Sequence, residues 1–429
     1  MAHIEKRGNS YRISVYLGRD KNNKRIYKRT TYTPKETAPT KIEREVNAFA
    51  YDFEERAKKG ILFDGDNLTF DEFVAKWDEN FAQQNLSPSV YQNYKSLIRL
   101  YFSDTIGFLK ISKITPLHLQ NIYNDMYANG KAIGTIQKVH RIASSLFSHA
   151  LKWGLVERNI CQHVDLPRSN TKKEIHCFSI DQANLFLDIL EKPLESKYSP
   201  HQRTIGTTVY DVNEYTESRP ISLQFQILFE IALFGGLRRG EIVSLTWNDI
   251  DFNNNSITVS KSTAKIKGGQ YIKSPKTAAG YRTIILPNRV FAKLNKWHFE
   301  QLQESLRLGN LWEGYRGKDF DNNFIFIQET GKQMHIDSPT KKFKKILTTY
   351  NSSVKKEEDK LPMIRFHDLR HTSASLLISQ NVDIRTVANR LGHSKTSVTL
   401  DIYSHALQEL DEKAANALDN IIGQKNKLG

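Results

Sequence analysis

Cations that could grip a phosphate, imidazoles that could move a proton and a phenol that could attack recur along the C-terminal part of the chain. The apolar run 227–234 ends in Gly235-Gly236-Leu237-Arg238-Arg239-Gly240-Glu241. Two glycines let the backbone turn sharply and approach a ligand, which sets Arg238 at the mouth of the next helix. A guanidinium there suits bidentate contact with phosphate oxygens, and Glu241, three residues on, shares its helical face and can orient it. Next, His367-Asp368-Leu369-Arg370-His371-Thr372 places His367 and Arg370 side by side at a helix N-terminus, where backbone N–H groups also favour an anion. Gly392-His393 closes a short helix, Tyr403 lies on the helix after it, and Lys276 sits in an expected hairpin turn, Ser274-Pro275-Lys276-Thr277-Ala278-Ala279-Gly280. Each pattern alone is weak, since a structural turn, a chance His-x-x-Arg among 13 histidines or a core tyrosine would serve as well. Together, in this order, they make a phosphoryl-transfer kit.

In the motifs GLRRGE, HDLRH, LGH and the tyrosine ten residues after that histidine, the chain resembles the tyrosine recombinases, or phage integrases. The family's catalytic set of two arginines, a lysine, two histidines and a tyrosine has a candidate at every position: Arg238, Lys276, His367, Arg370, His393 and Tyr403. The resemblance implies a site-specific DNA recombinase that integrates or excises a mobile element of a phage or integrative conjugative element. It further implies a homotetramer on double-stranded DNA with core and arm sites, an excisionase and a host DNA-bending protein as candidate partners, and no cofactor or metal.

The expected mechanism follows from charge. Negative charge grows on the non-bridging oxygens of a phosphodiester as a nucleophile attacks, so cations belong there. Arg238 and Arg370 are the clamps, helped by His393. Tyr403 is the nucleophile, leaving a 3′-phosphotyrosine link and a 5′-hydroxyl as the family does, which conserves the bond energy for re-ligation. A free tyrosine titrates near 10, so a neighbour must take its proton during attack, a role given to His367. By analogy with the family, Lys276 would protonate the leaving oxygen. Arginines do here what a metal does in nucleases. Two competing readings are a non-catalytic DNA-binding protein that kept the fold and a metal-dependent nuclease or transposase.

The elements that must position these groups read as a multidomain α+β chain. Residues 1–62 show period-two alternation at Tyr11, Ile13, Val15 and Leu17, a second strand at 26–33, a short first one at 3–6, and a helix carrying Ile42, Val46, Phe49 and Phe53. This is a three-stranded sheet with a helix on one face, similar to the family's arm-binding domain. Its other face should present Arg12, Tyr16 and Lys28 or Arg29 to a DNA groove. Residues 67–155 read as four amphipathic helices, opened by Thr69 with Glu72, Ser87-Pro88, Thr115-Pro116 and Thr135, and similar to the core-binding domain. Lys138 and Arg141 are DNA-contact candidates on the last helix, off its apolar stripe. A basic linker follows at 157–173, and 175–429 is the catalytic domain, mainly helical with a small antiparallel sheet expected at 257–259, 270–273, 282–286 and 324–327. The polar stretch 192–222 reads as an insertion or mobile loop. Beyond Tyr403, the stripe Leu410, Ala414, Leu418 and Ile421 is similar to the C-terminal helix that family members donate to a neighbouring protomer.

The chain has 429 residues, with 62 Lys and Arg against 47 Asp and Glu, a formal net charge of +15 spread over its whole length. Such a balance points to a long polyanion touched in several places. No apolar stretch suits a membrane span or a cleaved signal, and 2 cysteines exclude a disulfide framework, so a cytoplasmic location, in a bacterium and on the nucleoid when DNA-bound, is expected. Cys161, His163, His176 and Cys177 are clustered, but their spacings do not suit zinc.

Overall fold

The computed structural model describes residues 2–19, 22–58, 68–168, 176–198, 201–205, 208–275 and 278–393, and it divides into two compact units, 1–172 and 173–429. In the first unit, strands β1 (His3–Arg7), β2 (Ser10–Arg19) and β3 (Arg25–Tyr32) form an antiparallel sheet in that order, followed by helix α1 (Pro39–Lys58). Alternation buries Ile13 and Val15 on one face, α1 contributes Val46 and Ala50, and Tyr32 stacks on Phe49 with ring centres 4.2 Å apart. The register pairs Arg12 with Thr31, Ser14 with Arg29, and Tyr16 with Tyr27, so these share the opposite face. Lys28 does not join them. It pairs with Val15, and directly opposed residues of an antiparallel pair point the same way, which puts Lys28 on the helix-packed face.

Four helical rods follow. The first, α2 (Phe70–Trp77), runs on through a π-helical turn, Asp78–Ala82, to Asn85. It starts on a capping box in which the Thr69 hydroxyl accepts from Glu72 N at 3.3 Å and the Glu72 carboxylate accepts from Thr69 N at 2.8 Å. The second, α3 (Pro88–Ile98), continues through a π-helical turn, Arg99–Ser103, to Ile106, and α4 (Pro116–Ala128) and α5 (Ile133–Lys152) complete the bundle. Phe70, Phe73, Trp77, Phe102, Tyr123, Leu146 and Phe147 fill its core, which continues past α5 into Leu155, Val156, Ile160 and Cys161. Burial there pushes the Cys161 thiol up to about 12, as befits a cysteine packed in a core.

The second unit is built around α7 (Leu223–Gly235), which is buried on all sides through Ile227, Leu228, Phe229, Ile231, Ala232 and Leu233. Helix α6 (Ile180–Glu191) precedes it, and α8 (Arg239–Val243), α9 (Asn288–Leu308), α10 (Ser338–Ser353), α11 (Asp368–Ser379) and α12 (Ile384–Leu391) follow. The stretch expected as a loop between α6 and α7 is a β-ribbon. Strand β4 (Leu194–Tyr198) pairs with β7 (Tyr215–Arg219), and β5 (His201–Ile205) pairs with β6 (Thr208–Val212) inside them. Strand β4 packs against α10, with Leu194 on the core, but the strand sequences Leu194-Glu195-Ser196-Lys197-Tyr198 and Tyr215-Thr216-Glu217-Ser218-Arg219 carry no apolar alternation to read.

Strands β8 (Ile250–Asp251), β9 (Ser256–Val259) and β12 (Arg282–Ile285) form a three-stranded sheet in the order β12-β9-β8, and β10 (Ser262–Ile266) pairs with β11 (Gly269–Lys273) as a hairpin. The strand expected at 324–327 is absent. Phe324 and Ile327 make isolated bridges to Thr246 and Gln333, Ile325 N donates to Leu245 O at 2.9 Å, and the apolar character of the run reflects burial of Ile325, Phe326 and Ile327 in the core. Among the described residues, no helix is long and apolar enough to cross a membrane.

Candidate active site

The turn after α7 organises the site. Gly236 adopts φ +61°, the left-handed conformation that side chains disfavour, and a Cβ there would lie 2.6 Å from Leu391 Cδ2. The turn aims Arg238 as the N-cap of α8. Glu241, one turn on and 5% exposed, accepts from Arg238 N at 2.9 Å and from Arg238 Nη1 at 2.8 Å. The outer part of Arg238 stays open, its side chain 41% exposed. Arg370, on the first turn of α11 and only 3% exposed, donates from Nη1 to Gly236 O at 2.7 Å, so both arginines hang on one backbone turn.

Local bonds fix the start of α11. The Asp368 carboxylate accepts from Arg365 N at 2.8 Å, Nε at 3.0 Å and Nη2 at 2.6 Å. The Thr372 hydroxyl donates to Asp368 O at 2.9 Å and accepts from Phe178 N at 3.1 Å. His367 is the residue before this helix, its ring edge-on to His371 at 5.2 Å. His393 follows the left-handed Gly392 that ends α12, and Gly392 O accepts from Arg238 Nη2 at 3.2 Å. Arg238, Glu241, Arg370 and His393 are therefore brought together, and His367 adjoins Arg370. Lys276 and Tyr403 lie outside the described residues, as does the stripe from Leu410 to Ile421.

Sequence reasoning passed over Arg282. At the start of β12, it donates from Nη2 to Glu241 Oε2 at 2.8 Å and from Nε to Arg390 O at 2.8 Å. The available signal was an arginine heading an apolar strand, Arg282-Thr283-Ile284-Ile285, since a buried guanidinium needs a partner.

The electrostatics favour an anion. Burial alone would raise the Glu241 carboxyl, but hydrogen bonding and charge from Arg282, then from Arg238, hold it below the ordinary carboxylate range. Burial, then the charges of Arg370, Arg238, His371 and Arg282, push the His393 imidazole down to about 4. Burial, then the charges of His371 and Arg370, push the His367 imidazole down to about 4 as well. Two neutral imidazoles beside three guanidinium groups and one carboxylate leave a surplus of positive charge.

The contacts expected on the first unit are spread over two surfaces. Arg12, Tyr16 and Arg29 share the open face of the N-terminal sheet, where Tyr16 and Tyr27 pack at 5.6 Å and the Arg29 guanidinium lies 5.6 Å over the Tyr27 ring. Lys138 and Arg141 line an open groove of about 460 Å³ between α3 and α5 with Ser89, Asn93 and Tyr94, and Lys138 Nζ donates to Asn93 Oδ1 at 2.8 Å.

Residues 206–409 match the phage integrase family, and residues 69–127 match the phage integrase N-terminal SAM-like domain. A tyrosine recombinase XerC-like protein of Caldanaerobacter subterraneus subsp. tengcongensis is 25% identical over 426 residues, covering 96% of each chain. The ICEBs1 integrase of Bacillus subtilis is 25% identical over 339 residues, covering 78% of each. The Tn1549 transposon integrase, solved in complex with a circular intermediate DNA, superposes with a TM-score of 0.61 over 80% of this chain and 99% of its own at 21% identity, a likeness of fold.

Proposed function

The chain belongs to the phage integrase family, and from that premise we propose that it cuts and rejoins double-stranded DNA at specific sites through a 3′-phosphotyrosine intermediate, integrating or excising a mobile element. The observation that carries the reading is the convergence of Arg238, Arg370 and His393 around one turn, with His367 alongside, where burial and then the neighbouring charges hold both imidazoles neutral.

Arg238 and Arg370 meet the non-bridging oxygens of the scissile phosphate, where two fixed guanidinium groups offset charge that grows as Tyr403 attacks. Glu241 aims Arg238. His367 takes the phenolic proton, His393 donates to a non-bridging oxygen, and Lys276 supplies the proton to the leaving 5′-oxygen. An imidazole near 4 is a poor base at pH 7, but the phosphate alters it. One negative charge about 4 Å away at an effective dielectric near 20 contributes about 4 kcal/mol, roughly three pKa units, enough to poise the group near neutrality. The pocket becomes competent for proton transfer when substrate fills it.

In this reading residues 1–62 bind arm sites through Arg12, Tyr16 and Arg29, residues 67–155 bind the core site with Lys138 and Arg141, and residues 175–429 carry the chemistry. The working form is a homotetramer on two DNA sites in the bacterial cytoplasm, with an excisionase and a host DNA-bending protein setting direction. A nicked suicide duplex tests the chemistry. A covalent protein–DNA adduct that survives chelator and disappears in Tyr403→Phe, with DNA binding intact, supports it. DNA binding without any adduct would indicate a non-catalytic DNA-binding protein, and cleavage abolished by chelator a metal-dependent nuclease.

A further inference from the structure

Three segments of the second unit meet at the Arg282 guanidinium. It holds both Glu241 oxygens, Nη2 to Oε2 at 2.8 Å and Nη1 to Oε1 at 3.4 Å. Its Nε donates to Arg390 O at 2.8 Å, at the end of α12, and Nη1 also donates to Gly280 O at 3.3 Å, on the connection between Lys276 and β12. The side chain is only 7% exposed, and a Cβ added at Gly392, the residue before His393, would lie 2.9 Å from Nη1. Arg282 therefore does not present itself to a ligand as Arg238 does.

Its effect on Arg238 follows from charge. Glu241 grips both arginines, one inner and one outer. Were Arg282 missing, the single carboxylate would be shared with Arg238 alone and would cancel the charge that a phosphate must meet. With Arg282 present, the inner pair is neutral, and Arg238 keeps both its orientation and its net charge. The bond to Arg390 O also sets where α12 ends, and hence where His393 stands.

We propose that Arg282 is a positioning residue for phosphoryl transfer, acting through Glu241 on Arg238 and through the end of α12 on His393. This rests on the recombinase reading above. The test measures single-turnover cleavage of the nicked suicide duplex, and DNA affinity by anisotropy, for R282A, R282K, R238K and the R238K/R282A double variant. R282A should cleave on the order of 10²-fold more slowly with Kd within about threefold of wild type. R282K, which keeps the charge and loses the fork, should recover part of that rate and stay at least about tenfold below wild type. In the R238K background, R282A should cost clearly less than it does in the wild type, because the part of its effect routed through Glu241 is already lost. Losses that multiply in the double variant, a deficit confined to Kd, or cleavage by R282A at the wild-type rate overturns the proposal. If R282A does not fold, R282K decides: an unchanged melting temperature with at least tenfold slower cleavage supports it, and wild-type cleavage overturns it. Absence of any adduct from the wild-type chain overturns the recombinase reading itself, a result distinct from all of these.

Discussion

Filling the pocket with a phosphodiester should return a proton to His393. In the unliganded protein its imidazole lies at about 4, held there by burial and by the surrounding arginines. A single anion about 4 Å away at an effective dielectric near 20 contributes about 4 kcal/mol, or roughly three units, which places the bound-state value near 7. The sign is fixed by linkage: the complex binds more protons than the free protein between about pH 4 and 7, so affinity must rise as pH falls through that window, by up to about tenfold per unit for each imidazole involved. The assay is anisotropy of a core-site duplex with the Tyr403→Phe chain from pH 5 to 8 at constant salt, paired with NMR titration of labelled histidines and a His393→Gln variant for assignment. A duplex with a neutral methylphosphonate at the scissile position should lose the effect, because it removes the charge and little else. A His393 value that stays near 4 in the phosphodiester complex, or a pH slope unchanged by the methylphosphonate, would refute the claim that this imidazole faces the substrate phosphate.

Further outcomes follow from the same geometry. Arg370→Lys should slow cleavage by about 10²- to 10³-fold in single turnover with little change in Kd, because a lysine cannot reach Gly236 O and the phosphate together with a planar fork. Gly236→Ala should lower the thermal midpoint by several degrees, since the left-handed turn costs about 1–2 kcal/mol and the new Cβ would meet Leu391 at 2.6 Å. On the N-terminal sheet, Arg12→Ala and Arg29→Ala should each weaken arm-site DNA binding and flatten its salt dependence by about one charge, whereas Lys28→Ala, on the helix-packed face, should leave that slope nearly unchanged.

Much of this was legible in the chain because each feature has a local cause. Thr69 with Glu72, and Pro88 and Pro116 at first helical turns, mark helix starts through bonds made within a few residues. Ile13 and Val15 declare a buried sheet face by alternation. The arginines and histidines of the site were recognisable as types, and two glycines announced a turn that only glycine tolerates at Gly236. The rest depended on distant partners. Lys28 could be assigned to a face only once a register joined it to Val15, and a one-residue ambiguity in register exchanges the faces. Residues 324–327 look like a strand because core burial and strand pairing both select apolar runs. The ribbon at 194–219 has mostly polar strands, so its pairing leaves no apolar pattern to read. Arg282 reaches Glu241 across 41 residues, so no local spacing connects them.

The most direct measurement is recovery of the covalent product from a nicked core-site duplex in the presence of chelator, followed by peptide mapping of the linked residue. The expected product is Tyr403 joined to a 3′-phosphate with a free 5′-hydroxyl on the other fragment, formed by the wild type and lost in Tyr403→Phe. A link to any other residue, or cleavage that stops when divalent metal is removed and leaves no protein attached, would contradict it.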